Sequence, residues 1–220
     1  MSFDVIDPET LKQLETLPAF DRPLLICDVD EVMLHLVDPF AKIMEERGFE
    51  LKFHGFKLNG NVFHKETGRE AERSEVRDAL FALFTEQEER QAFVAGAVDA
   101  INGLSDEIDI LFLTNMPHEY GDVRRRHFAS NGLEFPLVTN SGTKGPVVLE
   151  IRGSASPKTG FIDDTPYNLK SVREHVPHAE LYHFMATEAF RTQVETPEGT
   201  RISSGDWAET VHVIKETLLN

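Results

Sequence analysis

Five short apolar runs, separated later in the chain by segments with helical spacing, constrain this chain more than any other feature. They are LLICD, IDILFLTN, FPLVTN, TGFIDD and AELYHFM, and each has the length and continuity of a strand buried on both faces. Tyr120, Val123, His127 and Phe128 share one helical face before the stop signal Asn131-Gly132. Val147, Val148 and Ile151 follow Pro146, which suits a first helical residue. Alternation of this kind predicts an α/β domain on a parallel, Rossmann-like sheet. Asp7-Pro8 opens a further helix carrying Leu11, Leu14 and Leu17, and Asp206 caps one carrying Val211, Ile214 and Leu218; both sets read as packing.

The rhythm breaks between His35 and Leu104. This stretch holds a helix at DPFAKIMEERGF, a hairpin pattern at LKFHGFKLNGNVFH and a long helical region with Val76, Leu80, Leu83 and Phe84, followed by Phe93, Val98 and Ile101. A connection between strand and helix is usually a few residues. The stretch therefore predicts a small, mainly helical domain, residues 36–104, inserted into a core formed by 1–35 and 105–220. Phe53, Phe56 and Phe63 are expected in the core of that insert, and His54 and His64 to be exposed or hydrogen-bonded there.

A formal charge of -16, from 38 acidic and 22 basic side chains, opposes binding to nucleic acid or to an anionic membrane surface. No apolar run approaches the roughly 20 residues of a membrane helix. The start MSFDVIDPET lacks the basic and apolar regions of a secretory signal, so a cytoplasmic location is expected. Cys27, the single cysteine, allows no intramolecular disulfide and is expected as a small core residue. Arg124, Arg125 and Arg126 are expected on a solvated helix face. No feature specifies an oligomeric state.

In an open α/β sheet, ligands bind at the carboxyl ends of the strands. Asp28 and Asp30 lie there on the first run, Thr114 and Asn115 on the second, and Asp163 and Asp164 on the fourth, with Lys144 opening the helix before it. Singly, each could be a turn or a helix cap. Jointly, they would bring four carboxylates, a hydroxyl and an ammonium to one crevice. Two carboxylates about 4 Å apart repel by about 4 kcal/mol at an effective dielectric near 20, so such a cluster needs a cation. Hard oxygen ligands favour Mg²⁺, and no Cys/His spacing suggests zinc.

In this order the motifs resemble those of the haloacid dehalogenase (HAD) superfamily. DVDEV looks like its DxDx[TV] motif, LFLTN its second motif ending in Thr, Lys144 its third, and FIDDTPYN its acidic fourth. The resemblance implies a HAD-like fold with an inserted cap, and a Mg²⁺-dependent phosphatase acting on a small phosphorylated metabolite. Asp28 would be the nucleophile that becomes an aspartyl-phosphate, and Asp30 the acid and later base. Thr114, Asn115 and Lys144 would bind the phosphoryl group. Mg²⁺ would be held by Asp28, the backbone carbonyl of Asp30 and Asp164, with Asp163 a ligand or a partner of one. A phosphotransferase or phosphomutase with the same intermediate is the alternative, and a non-catalytic phosphometabolite-binding protein a third reading. Glu31 stands where many relatives have glycine, the fourth motif has adjacent aspartates and then Asn168, and Lys158 competes with Lys144 for the third motif. Lys52, Lys57 and Arg69 of the insert are candidates for meeting an anionic substrate.

Overall fold

The computed structural model describes residues 5–55, 57–152 and 158–220. In chain order the elements are α1 (Pro8–Leu14), β1 (Leu24–Cys27), α2 (Val37–Glu46), β2 (Phe49–Leu51), β3 (Val62–His64), α3 (Arg73–Thr85), α4 (Gln87–Arg90) and α5 (Ala97–Ser105). They continue with β4 (Asp109–Asn115), α6 (Gly121–Ala129), β5 (Leu137–Asn140), α7 (Lys144–Arg152), β6 (Thr159–Asp163), α8 (Pro166–His175), β7 (Glu180–Phe184), α9 (Glu188–Arg191), β8 (Thr200–Ser204) and α10 (Trp207–Leu218).

The expected parallel sheet is present, in the order β5-β4-β1-β6-β7-β8, with every neighbouring pair parallel. All of β1 is buried, and its alternate residues enter opposite layers. Leu25 and Cys27 join a cluster with Ile101, Phe128 and Trp207, from α5, α6 and α10. Leu24 and Ile26 join another with Val147, Leu169 and Val172, from α7 and α8. The edge strand β8 was not among the five apolar runs. Its sequence, TRISS, has one large apolar residue, and Arg201 pairs outward with Glu180.

Both terminal helices form with the expected caps. Asp7 accepts the backbone N–H groups of Glu9 and Thr10, and Asp206 that of Ala208. Ile214 and Leu218 are buried, and Leu14 and Leu17 pack against the cluster that holds Val147 and Leu169, whereas Leu11 is exposed and the fully buried residue of α1 is Thr10. Helix α1 also meets the sheet through polar groups, because Thr10 and Gln13 donate to the Thr139 carbonyl at the end of β5, both at 3.2 Å.

The stretch after β1 builds its own hydrophobic cluster from Phe40, Ile43, Met44, Phe49, Val62, Val76 and Leu83. Strands β2 and β3 pair antiparallel, with Phe49 opposite His64. Neither Phe53 nor Phe63 joins that cluster. Alternation along β3 turns Val62 inward and Phe63 to the other face, under Lys52, while Phe53 is exposed and meets the ring of Phe190 in α9 edge-on. Phe56 lies outside the described residues. The two connections to the core run side by side: the His35 N–H donates to the Ala92 carbonyl (3.0 Å) and that of Val94 to Met33 (2.8 Å). Beyond this junction, Ala97, Ile101 and Leu104 of α5 pack in the cluster beneath β1. No described helix is long and apolar enough to cross a membrane.

Candidate active site

Strand β1 has β4 on one side and β6 on the other, and the chain runs outward from both. Such a switch point leaves a crevice at the carboxyl ends of the strands. Cys27 is level with Phe112 of β4 and Ile162 of β6, which puts Asp28, Thr114, Asp163 and Asp164 just beyond the last paired residues of β1. Cys27 is fully buried, as expected, and burial pushes its thiol pKa well up.

Lys144, the first residue of α7, is fully buried between two of these carboxylates. Its Nζ lies 2.6 Å from Asp28 Oδ1 and 2.8 Å from Asp163 Oδ2. Burial works against the ammonium, but Asp163 and Asp28 outweigh it and raise its pKa. Lys158 instead precedes β6 and reaches the Thr217 carbonyl at 3.4 Å. Asp163 is saturated: Oδ1 accepts the Thr165 N–H (2.8 Å), and the Asn168 amide donates to both oxygens (3.1 and 3.2 Å). Asp164 Oδ1 accepts the Thr165 hydroxyl at 2.9 Å.

Asp28, Asp163 and Asp164 present oxygens that all lie within 4.8 Å of one another. Burial, only partly offset by Lys144, pushes the Asp28 carboxyl up to about 7. Burial, with Asp163 and Asp28 beside it, also carries Asp164 well above the usual carboxylate range. One ammonium thus faces three close carboxylates, and two of them ionise only against resistance. A hard divalent cation fits this donor set. His183 braces it from β7: its Nε2 donates to the Asp164 carbonyl at 3.0 Å and Nδ1 meets the Ser203 hydroxyl at 2.7 Å. Burial lowers the imidazole pKa and keeps the ring neutral.

Thr114 is fully buried, and its Oγ1 has no hydrogen-bond partner among the described residues. An orphaned buried hydroxyl costs about 1–3 kcal/mol, and an anion at the mouth of the crevice would satisfy it. Asn115 is committed elsewhere: its Nδ2 donates to the Gly142 carbonyl (2.9 Å) and its Oδ1 accepts the Asn140 amide (2.8 Å). The structure therefore brings together Asp28, Thr114, Lys144, Asp163 and Asp164, and leaves the Asn115 side chain as a tie between β4 and β5. The side chain of Asp30 turns to Gln91 and Arg124.

Three further residues shape the site. Glu31 adopts φ 64°, the left-handed region that glycine occupies freely. Its buried carboxylate accepts the N–H groups of Leu36 and Val37 (both 2.8 Å) and of Thr187 (2.9 Å), which ties the start of α2 to the loop after β7. Arg124 corrects the expectation of a solvated face, being fully buried while Arg126 is exposed. It lies one helical turn from both Tyr120 and Phe128, so its place on the inward stripe was readable; Gln91 carried no such signal. Gly145 lets α7 approach α8. A Cβ there would stand 2.4 Å from the Ser171 carbonyl oxygen and 2.6 Å from His175 Nδ1. We expect Gly145→Ala to cost about 1–3 kcal/mol through overpacking and to lower kcat by displacing Lys144, checked by urea midpoint and steady-state rate.

No family model and no curated protein sequence matches the chain, but solved structures do. YfnB from Bacillus subtilis, described as a HAD-hydrolase bound to magnesium, is 15% identical with a TM-score of 0.61, over 88% of this chain and 98% of that one. The haloacid dehalogenase-like protein ATU0790 from Agrobacterium tumefaciens is 15% identical with a TM-score of 0.62, over 90% and 99%. The haloacid dehalogenase-like family protein SP0104 from Streptococcus pneumoniae is 11% identical with a TM-score of 0.60, over 87% and 97%. With its parallel sheet, switch-point crevice and an insert directly after β1, the chain has the haloacid dehalogenase-like fold.

Proposed function

We propose that the protein is a Mg²⁺-dependent phosphatase that hydrolyses a small phosphomonoester through an aspartyl-phosphate on Asp28. The observation that carries this reading is the buried Lys144 against Asp28, with the unpartnered Thr114 hydroxyl at the end of the neighbouring strand. These are donors for phosphoryl oxygens around a carboxylate poised to attack. Asp28, Asp164 and the Asp30 carbonyl would hold Mg²⁺, with the saturated Asp163 orienting Lys144. Bound there, the cation neutralises the carboxylates and lets them accept a dianionic substrate. The magnesium described for YfnB supports the same choice.

In the first half-reaction Asp28 attacks phosphorus, and Asp30 gives its proton to the departing oxygen. In the second, the Asp30 carboxylate takes a proton from the attacking water, and the Asp28–phosphorus bond breaks. Thr114 and Lys144 donate to the phosphoryl oxygens as charge moves through them. We further propose that the insert caps the crevice and selects the leaving group. A cleft of about 170 Å³ at its edge is lined by Leu36, Val37, Lys57, Leu58, Met185 and Phe190, and reaches Asp164. Lys52 is paired with Glu50 and Arg69 with Glu75, which leaves Lys57 as the basic group best placed to read substrate.

Turnover of p-nitrophenyl phosphate should require Mg²⁺ and stop in excess EDTA; undiminished release with chelator contradicts the reading. Phosphate appearing on an added alcohol faster than in water would favour the transferase alternative. The cation should also stabilise the fold in a pH-dependent way. Burial raises the Asp28 carboxyl from 3.8 to about 7. Such a group makes stability fall as pH rises between those values, and bound Mg²⁺ relieves the loss. At about 100 times its Kd, Mg²⁺ should raise Tm by about 5–10 °C near neutral pH and by much less where the carboxyls are protonated. Equal thermal shifts in both buffers would speak against Asp28 as a ligand.

A further inference from the structure

The side chain of Asp30 is held by groups outside the four motifs. Gln91 Nε2 donates to Asp30 Oδ1 at 2.9 Å, and Arg124 Nη1 donates to the same oxygen at 3.2 Å. No group among the described residues donates to Oδ2. The Arg124 side chain is fully buried, against 15% exposure for that of Asp30. Its Nε donates to Gln87 Oε1 and its Nη2 to Gln91 Oε1 (3.1 Å), and the Phe84 ring lies 5.8 Å beneath it. Gln91 also donates to the His35 carbonyl at 3.0 Å, bridging the two connections of the insert. A guanidinium is costly to bury without such a set of partners, and among the described residues Asp30 is the carboxylate paired with it.

We propose that Arg124, acting with Gln91, is a positioning residue for proton transfer by Asp30. The inference rests on the aspartyl-phosphate reading above. Two donors on Oδ1 occupy that oxygen as an acceptor, so the transferable proton is carried on Oδ2. They also restrain rotation of the carboxyl group, which leaves Oδ2 as the oxygen open to proton transfer. Gln87 belongs to α4 and Gln91 follows it, so the geometry of the acid/base depends on the returning segment of the insert as well as on β1.

The test measures kcat, KM and the phosphoenzyme fraction on p-nitrophenyl phosphate for Arg124→Lys and Gln91→Leu, each alone and combined with Asp30→Asn. Arg124→Lys keeps the charge but loses the fork, and Gln91→Leu leaves Arg124 in place should the lysine variant fail to fold. Misplacement of a reacting group by about 1 Å costs about 10²-fold. Each single variant should therefore lose about 10- to 100-fold in kcat with KM nearly unchanged, and phosphoenzyme should accumulate because its hydrolysis slows. In the Asp30→Asn background the same changes should have almost no further effect, since they act through Asp30. Losses of equal size in both backgrounds, or an effect on KM alone, would overturn the positioning role while leaving the wild-type phosphoenzyme intact. Absence of phosphoenzyme in the wild type would overturn the underlying reading, and this proposal with it.

Discussion

Asp28→Asn should release phosphate at least about 10⁴-fold more slowly than the wild type and form no phosphoenzyme. Losses of this order follow when the nucleophile of a covalent mechanism is removed. An amide keeps the size of the side chain and can still face Lys144, but it cannot become an acyl phosphate. The fold should survive, because the substitution removes charge from a site where burial already pushes the carboxyl up to about 7. Asp30→Asn should behave differently. Loss of general acid–base catalysis costs about 10²–10⁴-fold, and the phosphoenzyme should persist because its hydrolysis depends on that group. Equal phosphoenzyme levels in Asp28→Asn and the wild type would contradict the assignment of roles.

Lys144→Met should have a large effect on stability as well as on activity. The ammonium is fully buried and touches Asp28 and Asp163. Removing one partner from a buried ion pair costs about 3–5 kcal/mol, which for a chain of this size lowers Tm by roughly 6–20 °C. Loss of a donor to the developing charge should lower kcat by about 10²–10³-fold. The stability loss should shrink at acid pH. Without Lys144 the Asp28 carboxyl rises further, so protonation replaces the missing charge as pH falls below its folded value. Thermal unfolding in metal-free buffer at neutral and acid pH measures this, and an equal loss at both would argue against the carboxylates as its cause.

The chain discloses its strands because a central parallel strand is buried on both faces and must be apolar throughout, as LLIC is in β1. Edge strand β8 escapes that rule, since Arg201 and Ser203 alternate with Ile202 on a half-covered edge. Asp28, Thr114, Lys144, Asp163 and Asp164 were legible because each sits at the carboxyl end of a readable strand or the start of a readable helix. Asn115 shared that position, yet its side chain is absorbed by Asn140 and Gly142, a loop contact with no signature in local sequence. Arg124 could be read from its spacing to Tyr120 and Phe128, but the run it shares with Arg125 and Arg126 suggests a solvated face. On a helix these three residues point about 100° apart, and only the first falls on the stripe of His127 and Phe128 toward the core. Gln91 meets Asp30 across 61 residues of chain and Gln87 meets Arg124 across 37, where spacing carries no information. Glu31 shows the reverse: the motif position marked it as unusual, and its left-handed backbone with three N–H partners supplies the reason.

The central claim is that phosphate passes through Asp28, and the most direct measurement is to map it there. Asp30→Asn protein turning over p-nitrophenyl phosphate with Mg²⁺ would be quenched in acid, digested and searched for a phosphopeptide. The account predicts phosphate on the peptide that contains Leu24 to Val32, released by neutral hydroxylamine as an acyl phosphate must be, and absent when EDTA is added first. Phosphate on a serine, threonine or histidine peptide, or continued turnover with no phosphopeptide in either the variant or the wild type, would contradict it.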